Sequence, residues 1–71
     1  MPFINIKVAE AALSAAQKEE IVARVTAMMA DYLSEAARAH TMVLIEEVKD
    51  GGYGRAGSVF VVPEERRASN R

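Results

Sequence analysis

One amphipathic helical segment lies between two short apolar segments, and this order constrains the fold more than any other feature of the chain. In residues 2–8 the apolar Ile4, Ile6 and Val8 alternate with polar residues, which is the period of a strand with one buried face. Residues 15–33 keep helical spacing, and residues 41–48 form a second apolar segment. The order predicts a single β-α-β unit.

The predicted helix begins with a capping signal. Ser14 is followed three residues later by Gln17, so each side chain can bind the backbone amide of the other residue. Apolar side chains then recur along one helical row, which includes Met28. We interpret Met28, Met29 and Met42 as core residues, because their spacing is that of a buried face rather than of a flexible binding surface.

The second strand and the segments after it complete the predicted architecture. Residues 42–45 are apolar at every position, which indicates a strand covered on both faces, as in a parallel sheet. Residues 49–57 form a glycine-dense turn region, and residues 58–62 read as a short strand or arm that Pro63 ends. Residues 64–71 are charged without periodicity, so we expect a flexible tail over 63–71. The predicted fold class is α+β, in one domain over residues 1–71.

The small size of the chain predicts an oligomer. A domain near 71 residues buries only about 60% of its unfolded surface, and such chains usually gain stability from disulfides, a metal or association. The chain has no cysteine and one histidine, so disulfides and an ordinary His/Cys metal site are excluded. One helix also covers only one face of the sheet. We therefore expect a second subunit on the other face.

Charge and hydropathy exclude several function classes. A net charge of -1 provides no basic surface for nucleic acid. No apolar run approaches the roughly 18 residues of a membrane span, and residues 2–8 alternate rather than form the apolar core of a signal peptide. We therefore expect no nucleic-acid or membrane partner and a cytoplasmic location. The glycines at 51, 52 and 54 do not open a helix after a strand, which argues against dinucleotide binding.

The most unusual chemical feature lies at the first two residues. A small residue after Met1 favours removal of the methionine, which would leave Pro2 with a free secondary amine. Burial and a neighbouring cation both lower the pKa of such an amine, and a neutral amine can act as a general base next to a carbonyl. The lone His40 is a weaker base candidate, and we interpret it as a solvated or capped side chain. Of Glu46 and Glu47, only one can face a given site, because neighbouring residues of a strand point to opposite faces.

The sequence resembles the 4-oxalocrotonate tautomerase family over most of its length, from Pro2 to about residue 57. The resemblance rests on residues 2–6 (PFINI), on Leu13-Ser14 with Gln17-Lys18 at the helix start, on residues 43–48 (VLIEEV), and on the glycine-rich residues 49–54. It implies a β-α-β protomer that pairs into a four-stranded sheet, with three dimers usually forming a hexamer. It also implies an amino-terminal proline as the catalytic base, here Pro2, with Tyr53 at the position of the aromatic residue that lines the pocket. No cofactor is implied.

The sequence departs from the family pattern at two arginines. Where well-known members bind substrate carboxylate and oxo groups with arginine, this chain has the segment 11–13 and Met42. Arg55, just after Tyr53, is the nearest candidate to replace this anion contact. An equally weighted alternative is that Arg55 is an exposed residue of the turn with no such role. Arg38 is a second substrate-binding candidate. The alternative is that Arg38 is a surface residue of the connection before the second strand.

These observations predict a keto-enol tautomerase that acts on a small anionic enol or 2-keto acid, with Pro2 as general base. Two alternatives remain. The chain could be the proline-bearing subunit of a hetero-oligomeric tautomerase or dehalogenase-type enzyme, with arginine supplied by a different chain, or it could be a non-catalytic scaffold. We expect a homo-oligomer, either a dimer or a trimer of dimers.

Overall fold

The computed structural model describes residues 1–68. The elements follow the order β1 (Phe3–Ala9), α1 (Ala15–Tyr32), β2 (Met42–Val48), β3 (Gly54–Arg55) and β4 (Ser58–Val59). Two 3₁₀ segments, Glu35–His40 and Glu64–Arg66, lie before β2 and after β4. The predicted α+β class and the β-α-β unit are confirmed, and each predicted boundary of β1, α1 and β2 lies within one residue of the structure.

The two long strands pair in parallel. Their register runs from Phe3 opposite Met42 to Ala9 opposite Val48. Half-buried apolar side chains lie on one face of this pair and exposed side chains alternate with them on the other, because successive residues of a strand point to opposite faces. The half-buried set is Ile4, Ile6, Val8, Val43 and Ile45.

Helix α1 begins at the predicted capping box. The Ser14 hydroxyl accepts a hydrogen bond from the Gln17 amide at 3.1 Å, and the Gln17 side chain accepts one from the Ser14 amide at 2.9 Å. The helix ends at Tyr32, and the amide of Leu33 still donates to the carbonyl of Met29 at 2.9 Å.

The predicted strand over residues 58–62 is too long. Only Ser58–Val59 pairs, with Gly54–Arg55 across a two-residue loop in which Ala56 (φ 54°) and Gly57 (φ 82°) both have positive φ, as a type I′ turn requires. After Val59 the chain binds turn residues instead, since the Phe60 amide donates to Tyr53 and the Phe60 carbonyl accepts from Gly51. A strand cannot continue where no partner strand lies beside it.

The charged segment after Pro63 is partly held by the rest of the chain. Arg67 forms an ion pair with Asp50, and the amide of Ala68 donates to the carbonyl of Ala11 at 2.6 Å. Residues 69–71 of the predicted tail lie outside the described part of the chain. The flexibility of residues 63–71 stays a prediction.

The core of one chain is thin. Among residues 1–68 only Ala30 and Val62 are buried hydrophobic residues. The sheet face away from α1 is open, with exposed fractions of 64% for Phe3, 56% for Met42 and 42% for Leu44. No helix in residues 1–68 combines the length and apolar character needed to cross a membrane.

Candidate active site

Pro2 lies at the first rung of the parallel pair. Its carbonyl accepts a hydrogen bond from the amide of Met42 at 3.0 Å. Proline has no amide hydrogen to donate, so the start of a strand is a position where it disturbs no ladder bond. The half-buried Pro2 borders a cleft of about 420 Å³ between the start of β1 and the connection from α1 to β2. The other residues of this proline cleft are Met1, Leu33, Ser34, Ala36, Ala37 and His40.

His40 is in this cleft, although the sequence favoured a solvated or capped side chain. Its side chain is exposed, yet it lines the same cleft as Pro2. The signal that could have found it is the parallel pairing, because a register that puts Phe3 opposite Met42 brings the residues before both strands to one end of the sheet.

Arg38 is at the same end of the molecule but does not line the proline cleft. Its Nε donates to Glu35 Oε2 at 2.6 Å and its Nη2 to Glu35 Oε1 at 3.4 Å. The hydrogen bonds and charge of this exposed pair raise the pKa of Arg38 and lower the pKa of Glu35. No lysine or arginine of residues 1–68 lines the proline cleft. The substrate-binding role of Arg38 stays a prediction.

Tyr53 is at the opposite end of the sheet from Pro2. It follows the end of β2 and borders a cleft of about 250 Å³ together with Val8, Ala9 and Val48 at the ends of the two strands. A strand of seven residues spans roughly 20 Å, so Pro2 and Tyr53 of one chain cannot contact the same small molecule.

Arg55 and Tyr53 meet in a second cleft at this end. The cleft has a volume of about 490 Å³ and is lined by Tyr53, Gly54, Arg55, Phe60 and Arg66. We call it the arginine cleft. The rings of Tyr53 and Phe60 lie 5.4 Å apart at an interplanar angle of 39°. Arg66 was missed at the sequence level, because it stands in a charged segment with no periodicity that could place it.

The hairpin that carries Arg55 depends on a glycine at position 54. A Cβ atom there would lie 2.4 Å from the carbonyl oxygen of Ser58, which is backbone and cannot move aside as a flexible side chain would. The close approach of β3 and β4 therefore requires Gly54.

The adjacent carboxylates of β2 face opposite sides of the sheet, as strand geometry predicts. Glu46 accepts from Lys7 at 2.7 Å and from Asn5 at 3.4 Å on the open face, whereas Glu47 pairs with Lys18 of α1. These hydrogen bonds hold the pKa of each carboxyl below its ordinary value. Neither side chain lines the proline cleft. Residues 1–68 also contain no group of three or more His, Cys, Asp or Glu that could hold a metal ion.

Comparison with known proteins identifies the family. Residues 2–62 match the sequence model of a family described as "Tautomerase enzyme". This chain belongs to the tautomerase family. The chain is 37% identical over 57 residues to "Probable tautomerase K2" of Dickeya dadantii (strain 3937), an alignment that covers 80% of this chain and 84% of the relative. Its fold is similar to the crystal structure of DmpI from Helicobacter pylori, with a TM-score of 0.68, 32% identity, and coverage of 82% of this chain and 88% of that one.

Membership of the tautomerase family supports an isomerase-type enzyme. Proteins of the family are typically small oligomeric enzymes, and a chain with a thin core and with Phe3, Met42 and Leu44 exposed on its open sheet face is consistent with that state.

Proposed function

We propose that this chain is an enzyme that moves a proton within a small anionic enol or 2-keto acid, with the amine of Pro2 as general base. The observation that carries the proposal is the position of Pro2, which immediately precedes β1 and borders a cleft of about 420 Å³ in a chain of the tautomerase family. The sequence resemblance to the 4-oxalocrotonate tautomerase family supports the same role for Pro2.

The proposal requires removal of Met1. In the full chain the nitrogen of Pro2 is part of a peptide bond and has no basic lone pair. Met1 is 91% exposed, so a processing enzyme can reach it without unfolding of the chain. Loss of Met1 would both free the amine and clear one wall of the proline cleft.

The proposed reaction moves one proton from oxygen to carbon within a single substrate molecule. The neutral amine takes the proton from the enol oxygen, and the electron pair of that O–H bond forms the carbonyl double bond. The electrons of the former carbon–carbon double bond then take a proton from the protonated amine at a carbon atom. The amine is regenerated, nothing is oxidised or reduced, and no cofactor is needed.

A neighbouring subunit would complete the site. Tyr53 and Arg55 lie at the far end of the sheet from Pro2, so they can serve the same substrate only if they come from another copy. The exposed side chains of Phe3, Met42 and Leu44 on the open sheet face are the natural surface for such a copy. We therefore propose a homo-oligomer, either a dimer or a trimer of dimers.

One observation favours the hetero-oligomeric alternative. No arginine or lysine of residues 1–68 lines the proline cleft, and Met42 stands where the resemblance expects an arginine. In that case a different chain would supply the cation, and the isolated chain would show weak activity.

The first prediction tests the base. Purified protein with Met1 removed should convert phenylenolpyruvate or 2-hydroxymuconate to the keto form, and Pro2→Ala should lower kcat/KM by about 10²–10⁴-fold because a general base is lost. The control is Arg24→Ala, which does not line the proline cleft and whose guanidinium pairs with Glu20 on α1, so it should change little.

Equal rates for the wild type and Pro2→Ala would rule out the proline mechanism. Intact-protein mass spectrometry provides an earlier check, since a retained Met1 leaves no free proline amine. If the wild type is inactive alone but gains a Pro2-dependent activity with a second subunit, the hetero-oligomeric alternative is correct.

A further inference from the structure

Arg66 lies in the arginine cleft beside Arg55, on the short turn that follows Pro63. We propose that Arg66 is a second anion-binding residue, and that it holds a carboxylate of a small planar acid together with Arg55 against the rings of Tyr53 and Phe60. This proposal rests on the proposed function, because it assigns the carboxylate contacts of the substrate described there.

The charge of the cleft is not balanced by the chain itself. Other arginines of residues 1–68 each pair with a carboxylate: Arg24 with Glu20, Arg38 with Glu35, and Arg67 with Asp50. Arg55 and Arg66 form no ion pair within the described residues, and no carboxylate from this part of the chain lines the cleft. Arg55 and Arg66 therefore both line one cleft without a carboxylate partner in residues 1–68, and this is the basis for assigning an anion to it.

The turn that carries Arg66 is anchored to the end of the sheet. The amide of Arg66 donates to the carbonyl of Pro63 at 3.0 Å, and the next residue, Arg67, pairs with Asp50 at the end of β2. Asp50 also accepts from the amide of Val62 at 3.3 Å, so one carboxylate holds the chain on both sides of the turn. Arg67 is thus a positioning residue for Arg66 and is not itself a ligand.

The lining of the cleft favours a planar carboxylate. Guanidinium groups bind carboxylates through two parallel N–H···O bonds, which requires the anion to lie in the plane of the guanidinium. The two ring faces provide flat apolar surface for a conjugated carbon chain, and a volume of about 490 Å³ is in the range of small-ligand pockets. Inorganic phosphate would satisfy the arginines but would make no use of the apolar surface of the two rings.

The second prediction tests this site by direct binding. The probe is cis,cis-muconate, a planar conjugated dicarboxylate that has no enol proton to transfer, measured by isothermal titration calorimetry. Arg66→Ala and Arg55→Ala should each raise its Kd by roughly tenfold or more, since each removes a charge-assisted contact. Arg66→Lys keeps the positive charge but not the planar guanidinium, so its Kd for muconate should lie between those of the wild type and Arg66→Ala.

The matched control is Arg24→Ala, whose guanidinium pairs with Glu20 on α1 far from the cleft along the chain. It should bind muconate as the wild type does. The assignment of Arg66 is overturned if Arg66→Ala and Arg66→Lys both bind muconate with the Kd of Arg24→Ala. Inorganic phosphate as competitor tests the anion class, and equal affinity for phosphate and muconate would contradict the role of the rings.

A double-mutant cycle tests the positioning role of Arg67. If Arg67 acts only by positioning the Arg66 side chain, its loss should have no effect once that side chain is absent. The Kd of Arg66→Ala/Arg67→Ala should then equal that of Arg66→Ala alone. Additive losses would show that Arg67 contributes independently of Arg66.

Kinetics separate this proposal from the proline mechanism. Unchanged muconate binding in Arg66→Ala together with loss of turnover in Pro2→Ala would contradict the role of Arg66 and leave the base in place. Arg66-dependent binding of muconate in a protein whose turnover does not depend on Pro2 would support the anion site and contradict the proposed base. If both hold, Arg66→Ala should raise KM for 2-hydroxymuconate more than it lowers kcat.

Discussion

Glu47 is the residue through which β2 and α1 are joined electrostatically. It faces the helix side of the sheet, opposite Val8 in the register, and pairs with Lys18 in the first turns of α1. The hydrogen bond from Lys18 is the main cause that lowers the pKa of Glu47 below its ordinary value of 4.5. A carboxyl whose pKa is lower in the folded state stabilises the fold above that ordinary value, and this contribution is lost as the pH falls through the folded-state pKa.

The third prediction follows from the lowered pKa of Glu47 in the folded state. Glu47→Gln should melt at a lower temperature than the wild type at pH 7, and the difference should shrink as the pH falls from about 4.5 downward. Glu19→Gln is the control, because Glu19 is exposed on α1 next to Lys18 in sequence and forms no ion pair within residues 1–68. Melting curves at one fixed protein concentration check this, and a constant difference from pH 7 to pH 3 would contradict it.

At the scale of elements, the chain has two serines in cap positions that differ in what they do. Ser14 caps α1 through its hydroxyl, whereas Ser34 stands at the start of the 3₁₀ segment Glu35–His40 with no side-chain cap hydrogen bond. The capping box was predictable because it is a local pattern of residues 14 and 17. The length of the 3₁₀ segment was not, because residues 34–40 carry no periodic signal.

The fourth prediction uses that contrast. Ser14→Ala should lower the free energy of unfolding by about 1 kcal/mol, because the amide of Gln17 loses its acceptor. Ser34→Ala should change it by less than half as much. Urea denaturation followed by circular dichroism measures both, and equal losses for the two variants would show that the hydroxyl of Ser14 is not acting as a cap.

Two turns also illustrate what local patterns leave open. Ala11 (φ 62°) and Ala56 (φ 54°) adopt the left-handed region, where the Cβ of a residue other than glycine costs roughly 1–2 kcal/mol. Neither position carries the glycine or asparagine that usually signals such a turn. The connection over residues 10–13 therefore shows no turn signal in its sequence, although the amide of Ala12 closes a turn on the carbonyl of Ala9 at 3.1 Å.

As a whole molecule, the single chain is too open to be a complete globule. Its radius of gyration is 14.9 Å, against about 11 Å for a compact domain of this length. Its accessible surface is 5315 Å², against about 4300 Å² for a compact monomer of 7.7 kDa. The excess includes the apolar residues of the open sheet face. These dimensions support the proposed homo-oligomer, in which a second copy would cover that face.

The fifth prediction concerns that assembly. Leu44→Glu places a charge on the open sheet face, opposite Asn5 in the register and two residues along from the pair of Phe3 and Met42, and should dissociate the oligomer into smaller species. Ala23→Glu, at an exposed position of α1, is the control and should leave the mass unchanged. Sedimentation velocity measures both, and an oligomer of the same mass in Leu44→Glu would show that the subunits join through another surface.

The helix and the two long strands of this protein follow from the sequence alone, whereas the tertiary structure decided which candidate site residues share a cleft. Helix α1, its cap and the two long strands follow from hydrophobic spacing and a capping pattern. Both signals involve residues that are close together in the sequence. The sequence also nominated Pro2 and Arg55 from their local context, and their roles stay predictions. It did not place His40 beside Pro2 or Arg66 beside Arg55.

Those two placements depend on contacts between residues far apart in the chain. The parallel register of β1 with β2 brings His40 to the end of the sheet that carries Pro2, and the pair between Asp50 and Arg67 brings Arg66 to the end that carries Tyr53. Such contacts form only when the whole chain has folded, so no local pattern encodes them. The same register puts the two clefts at opposite ends of one protomer, and for this physical reason the proposed site needs residues from more than one chain.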